Sequence, residues 1–195
     1  MIDFPHRFKI KAIVDRLPEN TCGSASACIV FEKFNLPYDP LYFIEVGRDG
    51  NATSDYPTDG CNIFGIALAM AKTNLVYVHV YIDFDVTKEY SILEEYEKPI
   101  IDELLSLNNI TINPSISLIE ICECITDNCV PILAFNRNGK KENGHFSPLR
   151  GLRDEQTLSL PLGDAEGPCD CDKDVFVNTW WTAESLRSCI IVKKN

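Results

Sequence analysis

The sequence lacks three features that would each indicate a class of function. It has no excess of positive charge, because 18 Lys and Arg stand against 29 Asp and Glu and the formal net charge is −11. Nucleic acid and anionic membrane surfaces attract basic proteins, so neither is an expected partner. No apolar run approaches the roughly 20 residues that span a bilayer. No basic stretch followed by an apolar run opens the chain, as a signal peptide requires. We therefore expect a soluble, cytoplasmic protein.

The composition is that of a globular domain. Hydrophobic residues make up 45% of the 195 residues and aromatic residues 10%, which is enough for one compact core. We therefore expect a single domain over residues 1–195. The nine cysteines are an odd number, and without a secretory signal we expect most of them to be reduced thiols.

The hydrophobic pattern predicts helices first and then a mostly antiparallel sheet, which is the α+β class. Tyr, Pro, Gly, Asp and Asn over residues 38–60 predict an irregular surface segment. Strands are predicted at 7–14, 75–82, 130–135, 145–152, 158–162 and 190–192, with turns at 137–139 and 153–156. Helices are predicted at 22–34, 61–72, 87–107 with a break at Pro99, 115–126 and 183–188.

Cys22 and His145 are the most informative pair of residues. Cys22 opens the first predicted helix, where the positive end of the helix dipole lowers the pKa of a thiol. His145 begins a predicted strand, and a nearby imidazole would take the proton of the thiol and later give it to a leaving group. The backbone N–H of Cys22 would help to bind the developing oxyanion. Residues so distant in sequence meet only in the folded protein.

A third group should orient the imidazole of His145. Asp164 closes the strand that follows the one carrying His145, and adjacent antiparallel strands bring the start of one near the end of the next. Asp154 is a competitor, although it lies on the far turn of that hairpin, and Asn178 is a further alternative. His79, within a strand, and His6, near the start of the chain, are expected to be structural or solvated.

Two segments resemble known enzymes. Residues 20–26, Asn-Thr-Cys-Gly-Ser-Ala-Ser, resemble the nucleophile segment of papain-clan cysteine peptidases, including the peptidase C39-like group. Residues 144–151, Gly-His-Phe-Ser-Pro-Leu-Arg-Gly, resemble more closely the Gly-His-Phe-Ser-Pro segment of the phytochelatin synthase family. The resemblance implies a papain-like fold, with the Cys helix in an N-terminal helical half and His and Asp on a C-terminal antiparallel sheet.

The resemblance also implies roles for individual residues. By position, Cys22 would be the nucleophile, His145 the acid–base and Asp164 the orienting carboxylate. Gly144 would line the acyl site through its backbone, and Arg150 would supply the positive charge that binds a substrate carboxylate, with Lys141 as the alternative.

The chain departs from the family pattern before the nucleophile. Arg16 stands where the phytochelatin synthase family has a glutamine that donates to the oxyanion. Asn20 could supply an amide in its place.

The remaining cysteines do not predict a metal site. Structural zinc usually has two to four residues between paired cysteines, whereas Cys122 and Cys124, like Cys169 and Cys171, are separated by one residue. On a helix the first pair would point in directions about 200° apart. We expect neither a metal nor a cofactor.

Three functions follow from these residues. The first is acyl transfer or hydrolysis on a small γ-glutamyl thiol peptide such as glutathione, through a thioester at Cys22. The second is a papain-like peptidase or deamidase that acts on a protein substrate. The third is a catalytically inactive papain-like module that binds a partner.

Overall fold

The structure, a computed structural model, describes residues 1–5, 7–17, 21–47, 62–83, 95, 97–136, 144–164, 167–180 and 188–195. For residues 7, 8, 136, 162–164, 167–169 and 179 the description covers the backbone alone. The helices are α1 (Arg7–Val14), α2 (Cys22–Lys33), α3 (Pro40–Gly47), α4 (Ile63–Lys72), α5 (Glu97–Ser106), α6 (Leu118–Glu123) and α7 (Lys173–Trp180). No helix within these ranges is long and apolar enough to cross a membrane.

Eight strands form two sheets. The strands are β1 (Val76–Ile82), β2 (Ile110–Pro114), β3 (Cys129–Asn136), β4 (Gly144–Pro148), β5 (Gly151–Leu152), β6 (Thr157–Asp164), β7 (Gly167–Asp172) and β8 (Ser188–Lys194). The larger sheet has the order β2-β1-β8-β3-β4 and the smaller one the order β5-β6-β7. Among the strands that the structure describes, β1 and β2 pair in parallel and the other pairings are antiparallel. The predicted α+β class is confirmed. His145 lies in the larger sheet and Asp164 in the smaller one, so the expectation that their strands are adjacent antiparallel partners is wrong: β4 pairs with β3, and β6 with β5 and β7.

The larger sheet has a hydrophobic core on each face. Successive side chains of a strand point to opposite faces, so Val130 and Ile132 of β3 join the core formed with α2 and α4. Cys129 and Leu133 of the same strand join the second core, formed with α6, α7 and β6. Strand β4, which carries His145, pairs with β3 in the same sheet. It therefore also lies between the two cores.

The predicted helix at residues 22–34 and the predicted strands at 75–82 and 130–135 are confirmed. The strand predicted at residues 7–14 is wrong, because these residues form α1. Ile10 and Ile13 are buried in that segment, and a spacing of three places both on one side of a helix. The irregular segment predicted at 38–60 contains α3, whose Phe43, Ile44 and Gly47 are buried.

The region after the histidine strand contains more regular structure than predicted. The residues around Cys171, for which no strand was predicted, form β7, which pairs with β6 and is followed directly by α7. Pro99 does not break α5, since it lies in the first turn, where a proline leaves no helical hydrogen bond unmade. The turn predicted at 137–139 and most of the helix predicted at 183–188 lie outside the described residues.

Candidate active site

Cys22 is the first residue of a helix that is buried along most of its length. All residues of α2 from Gly23 to Phe31 are buried. The small side chains of residues 23–27 allow close packing against α3. The hydroxyl of Ser24 donates to the carbonyl oxygen of Phe43 at 3.0 Å. Cys22 itself is partly buried beside the larger core. The thiol is therefore fixed on a rigid element, at the helix end whose dipole favours an anion.

His145 is the second residue of β4, which is an edge strand of the larger sheet. Only 6% of its surface is exposed. It lies opposite Phe135 in the register of β3 and β4, and the two rings meet edge to face with centroids 5.5 Å apart. Phe135 in turn contacts Phe176 at 5.3 Å, and Phe176 contacts Trp180 at 5.7 Å. A row of aromatic rings thus excludes water from one side of the imidazole.

The structure brings the elements that carry Cys22 and His145 into contact. Helix α2 packs directly against β4. Phe146 belongs to the core that includes α2, so alternation along the strand turns His145 toward the opposite face, beside Phe135. The contact between α2 and β4 concerns the two elements, and the pairing of the Cys22 thiol with the His145 imidazole stays a prediction.

The candidates for the orienting group lie in different places. Asp164 ends β6, its backbone pairs with Gly167, and β6 contacts β4; its side chain lies outside the described part of the structure. Asp154 lies in the turn between β5 and β6, at the other end of β6. Its carboxylate accepts a hydrogen bond from the backbone N–H of Gln156 at 2.9 Å, which lowers its pKa. Asn178 is exposed on α7.

The residues expected at the oxyanion and substrate sites are only partly described. Gly144 is exposed at the start of β4 and pairs with Asn136. Arg16 is exposed just after α1, and both Asn20 and Lys141 lie outside the described residues. These roles stay predictions.

Arg150 is held against the first residues of the chain. Its carbonyl oxygen accepts from the N–H of Ile2 at 2.9 Å, and its Nε donates to the carbonyl oxygen of Ile2 at 3.5 Å. These contacts give the side chain a structural partner, and its predicted binding of a substrate carboxylate stays a prediction.

Two other cysteines, Cys28 and Cys189, are buried, whereas Cys22 is partly buried. Burial raises the pKa of Cys28, on the same helix, to about 12, and burial also raises the pKa of Cys189. All seven described cysteines are free thiols. Within the described ranges, no three His, Cys, Asp or Glu side chains are grouped so that they could hold a metal ion.

The aromatic row beside the histidine is a feature that the sequence analysis missed. Phe135 lies at the end of the predicted strand 130–135, but its contact with His145 depends on the pairing of β3 with β4. The only signal in the sequence was the odd-numbered position of Phe135, which places it on the face of Leu133.

The fold is similar to that of a known peptidase. No model of a known protein family matches the chain, and no curated protein does. The chain is similar to a solved structure, the peptidase domain of Streptococcus ComA, which is a bifunctional ABC transporter involved in a quorum-sensing pathway. The match covers 92% of this chain and 95% of the ComA domain. The TM-score is 0.51 and the sequence identity 16%. The fold is papain-like. At this identity the similarity concerns the fold alone, and it agrees with the α+β class predicted from the sequence.

Proposed function

We propose that the protein is a cysteine peptidase or related hydrolase that cleaves an amide bond in a peptide or protein through a thioester at Cys22. The main support is the fold shared with the ComA peptidase domain, together with the position of Cys22 at the start of a helix that packs against the strand of His145. A fold alone does not imply a reaction, so the proposal depends on these two residues.

The chemistry would proceed in two steps. The Cys22 thiolate attacks the amide carbonyl, and the backbone N–H of Cys22 stabilises the oxyanion. The imidazolium of His145 gives its proton to the departing amine, which leaves an acyl group on the sulfur. His145 then takes a proton from water, which attacks the thioester and releases the acid. Asp164 would orient His145, and an amide of Asn20 would assist at the oxyanion.

A second substrate class is favoured by the segment at residues 144–148. Its Gly-His-Phe-Ser-Pro sequence resembles that of the phytochelatin synthase family, in which the cysteine attacks the Cys–Gly bond of glutathione. In that case glycine would leave and a γ-glutamylcysteinyl thioester would remain on Cys22, to be resolved by water or by another thiol peptide. Gly144 and Arg150 would then contact the substrate.

The pH dependence of alkylation tests the thiolate–imidazolium pair without a substrate. An ordinary thiol of pKa near 8.5 loses roughly 75-fold in thiolate between pH 8 and pH 6, so its reaction with iodoacetamide slows by that factor. If Cys22 is paired with His145, its rate at pH 6 stays within about threefold of its rate at pH 8. His145→Ala should restore the steep dependence, whereas the control His79→Ala should not. A steep profile in the wild type would favour the inactive binding module.

Turnover assays then separate the substrate classes. Incubation with denatured casein and, separately, with glutathione is followed by detection of new amino termini or of free glycine. New amino termini support the peptidase, and glycine above background supports the glutathione-type reaction. Cys22→Ala should abolish either activity, and the control Cys171→Ser should retain it. Activity that survives Cys22→Ala contradicts the mechanism.

A further inference from the structure

Ser26 carries a buried hydroxyl that no other described residue satisfies. The residue is fully buried in α2, and within the part of the chain that the structure describes its Oγ has no hydrogen-bond partner. It therefore lacks even the bond to the carbonyl oxygen four residues earlier that a serine within a helix often makes. Because a buried polar group without a partner is costly and uncommon in native proteins, the hydroxyl calls for a functional explanation.

The hydroxyl lies one helical turn below the candidate nucleophile. Cys22 is the first residue of α2, and residues four apart lie on the same face of a helix, with Cβ atoms roughly 5–6 Å apart. Side chains of a helix also lean toward its N-terminus. The side chain of Ser26 is therefore directed back toward Cys22.

This face of α2 is turned to the larger sheet. The opposite face is marked by Ser24, whose hydroxyl donates to Phe43 of α3 at 3.0 Å, and Ser26 lies about 200° around the helix axis from it. Lys33 lies seven residues after Ser26 and so on the same face, and it pairs with Asp127, in the turn before β3, at 2.7 Å. The side of α2 that carries Ser26 thus faces the sheet whose strand β4 packs against this helix.

We propose that the Ser26 hydroxyl is a positioning group that donates a hydrogen bond to the Cys22 thiolate and so holds the nucleophile in its ionised form. A hydroxyl hydrogen rotates to suit its acceptor, and a hydrogen bond to an ionised acceptor is about twice as strong as one between neutral groups. The bond therefore forms when Cys22 loses its proton. The inference rests on the proposed function, in which this thiolate attacks the amide.

The pH profile of alkylation at Cys22 tests the inference. Wild type, Ser26→Ala and the control Ser24→Ala are treated in the folded state with iodoacetamide over a range of pH. The rate at Cys22 is read from the tryptic peptide of residues 17–33, whose fragment ions separate it from Cys28. Loss of the bond should raise the pH midpoint of alkylation in Ser26→Ala by about one unit, which is a tenfold loss of rate below both midpoints. Ser24→Ala should keep the wild-type midpoint, because its hydroxyl donates to α3 instead.

A stability measurement separates support of the thiolate from support of the helix. In the thiol form of Cys22, the hydroxyl of Ser26 has no partner among the described residues. Tm is therefore compared at a pH below the alkylation midpoint, where Ser26→Ala should be at least as stable as wild type. A raised midpoint in a variant of undiminished stability is not a result of a weakened fold.

Two outcomes would overturn the inference: a midpoint in Ser26→Ala equal to that of wild type, or an equal rise in Ser24→Ala. If the wild-type midpoint lies well below that of an ordinary thiol and Ser26→Ala leaves it unchanged, the inference fails and the proposed function stands. If the wild-type midpoint is that of an ordinary thiol, the proposed function fails, and the comparison with Ser26→Ala still decides whether the hydroxyl supports the thiolate.

Discussion

Two serines on the helix of Cys22 should respond in opposite directions to the same substitution. Ser24 and Ser26 are both fully buried in α2. The hydroxyl of Ser24 donates to the carbonyl oxygen of Phe43 on α3 at 3.0 Å. Among the described residues, the hydroxyl of Ser26 has no hydrogen-bond partner. Ser24→Ala and Ser26→Ala therefore remove the same atom from the same helix. The first substitution breaks a hydrogen bond, and the second does not.

The expected magnitudes follow from the two environments. A buried polar group without a partner costs about 1–3 kcal/mol, and alanine has a helix propensity about 0.5 kcal/mol better than that of serine. Ser26→Ala should therefore raise the free energy of unfolding by about 1.5–3.5 kcal/mol, since both terms act in its favour. Ser24→Ala leaves the carbonyl of Phe43 without its donor, so it should lower that free energy by about 0.5–2.5 kcal/mol after the gain in propensity.

Thermal and urea unfolding measure the difference. For a domain of this size, 1 kcal/mol corresponds to about 2–4 °C in Tm, so the two variants should move in opposite directions by several degrees. Urea midpoints with unchanged m-values would show that stability alone has changed. If Ser26→Ala lowers Tm as much as Ser24→Ala does, the hydroxyl of Ser26 is satisfied in the folded protein and the reasoning is refuted.

Three further predictions concern packing and pH. Gly65→Ala should lower the free energy of unfolding by about 1–3 kcal/mol, because its Cβ would lie 3.0 Å from a backbone carbonyl of α3; Gly47→Ala should cost less, since its Cβ meets the end of a side chain. Hydrogen bonds from Ser117 lower the pKa of Glu120 in the folded protein. The ionised carboxylate therefore stabilises the fold above the ordinary pKa of glutamate, and this stabilisation is lost as the pH falls through the lowered pKa. Tm measured from pH 6 to pH 3 should fall less steeply in Glu120→Gln, and equal slopes would contradict this. Phe135→Leu removes two aromatic contacts and should lower the free energy of unfolding by about 1–3 kcal/mol. It should also slow alkylation of Cys22. An unchanged alkylation rate would show that the aromatic row does not influence the candidate nucleophile.

Local pattern was sufficient for the elements that carry a strong period. The small residues after Cys22 and the alternation at 75–82 predicted α2 and β1 within a residue or two. Helix α1 was mistaken for a strand because its charged residues alternate with apolar ones, and only the burial of Ile10 and Ile13 separates the two interpretations. Short segments of this kind are decided by tertiary packing rather than by propensity.

The sequence predicted the elements that carry the two candidate residues but not their surroundings. Cys22 does open a helix and His145 does lie at the start of a strand, while their catalytic roles stay predictions. The neighbours of His145 depend on the register of β3 with β4, and the partner of Arg150 depends on contacts more than a hundred residues apart in sequence. Such long-range pairings leave no local pattern. The single domain over residues 1–195 and the role of Asp164 stay predictions.

The position of β8 determines when this protein can fold. Residues 188–194 form the middle strand of the larger sheet, between β1 and β3. Without them β1 and β3 have no common partner, and the residues that β8 gives to both cores are missing. During synthesis the earlier helices and strands must wait until this segment has left the ribosome, with their apolar faces exposed to aggregation and to chaperones. Pairings over such long sequence separations also slow folding. A ribosome stalled before residue 188 would hold a chain that already contains Cys22 but cannot complete the larger sheet.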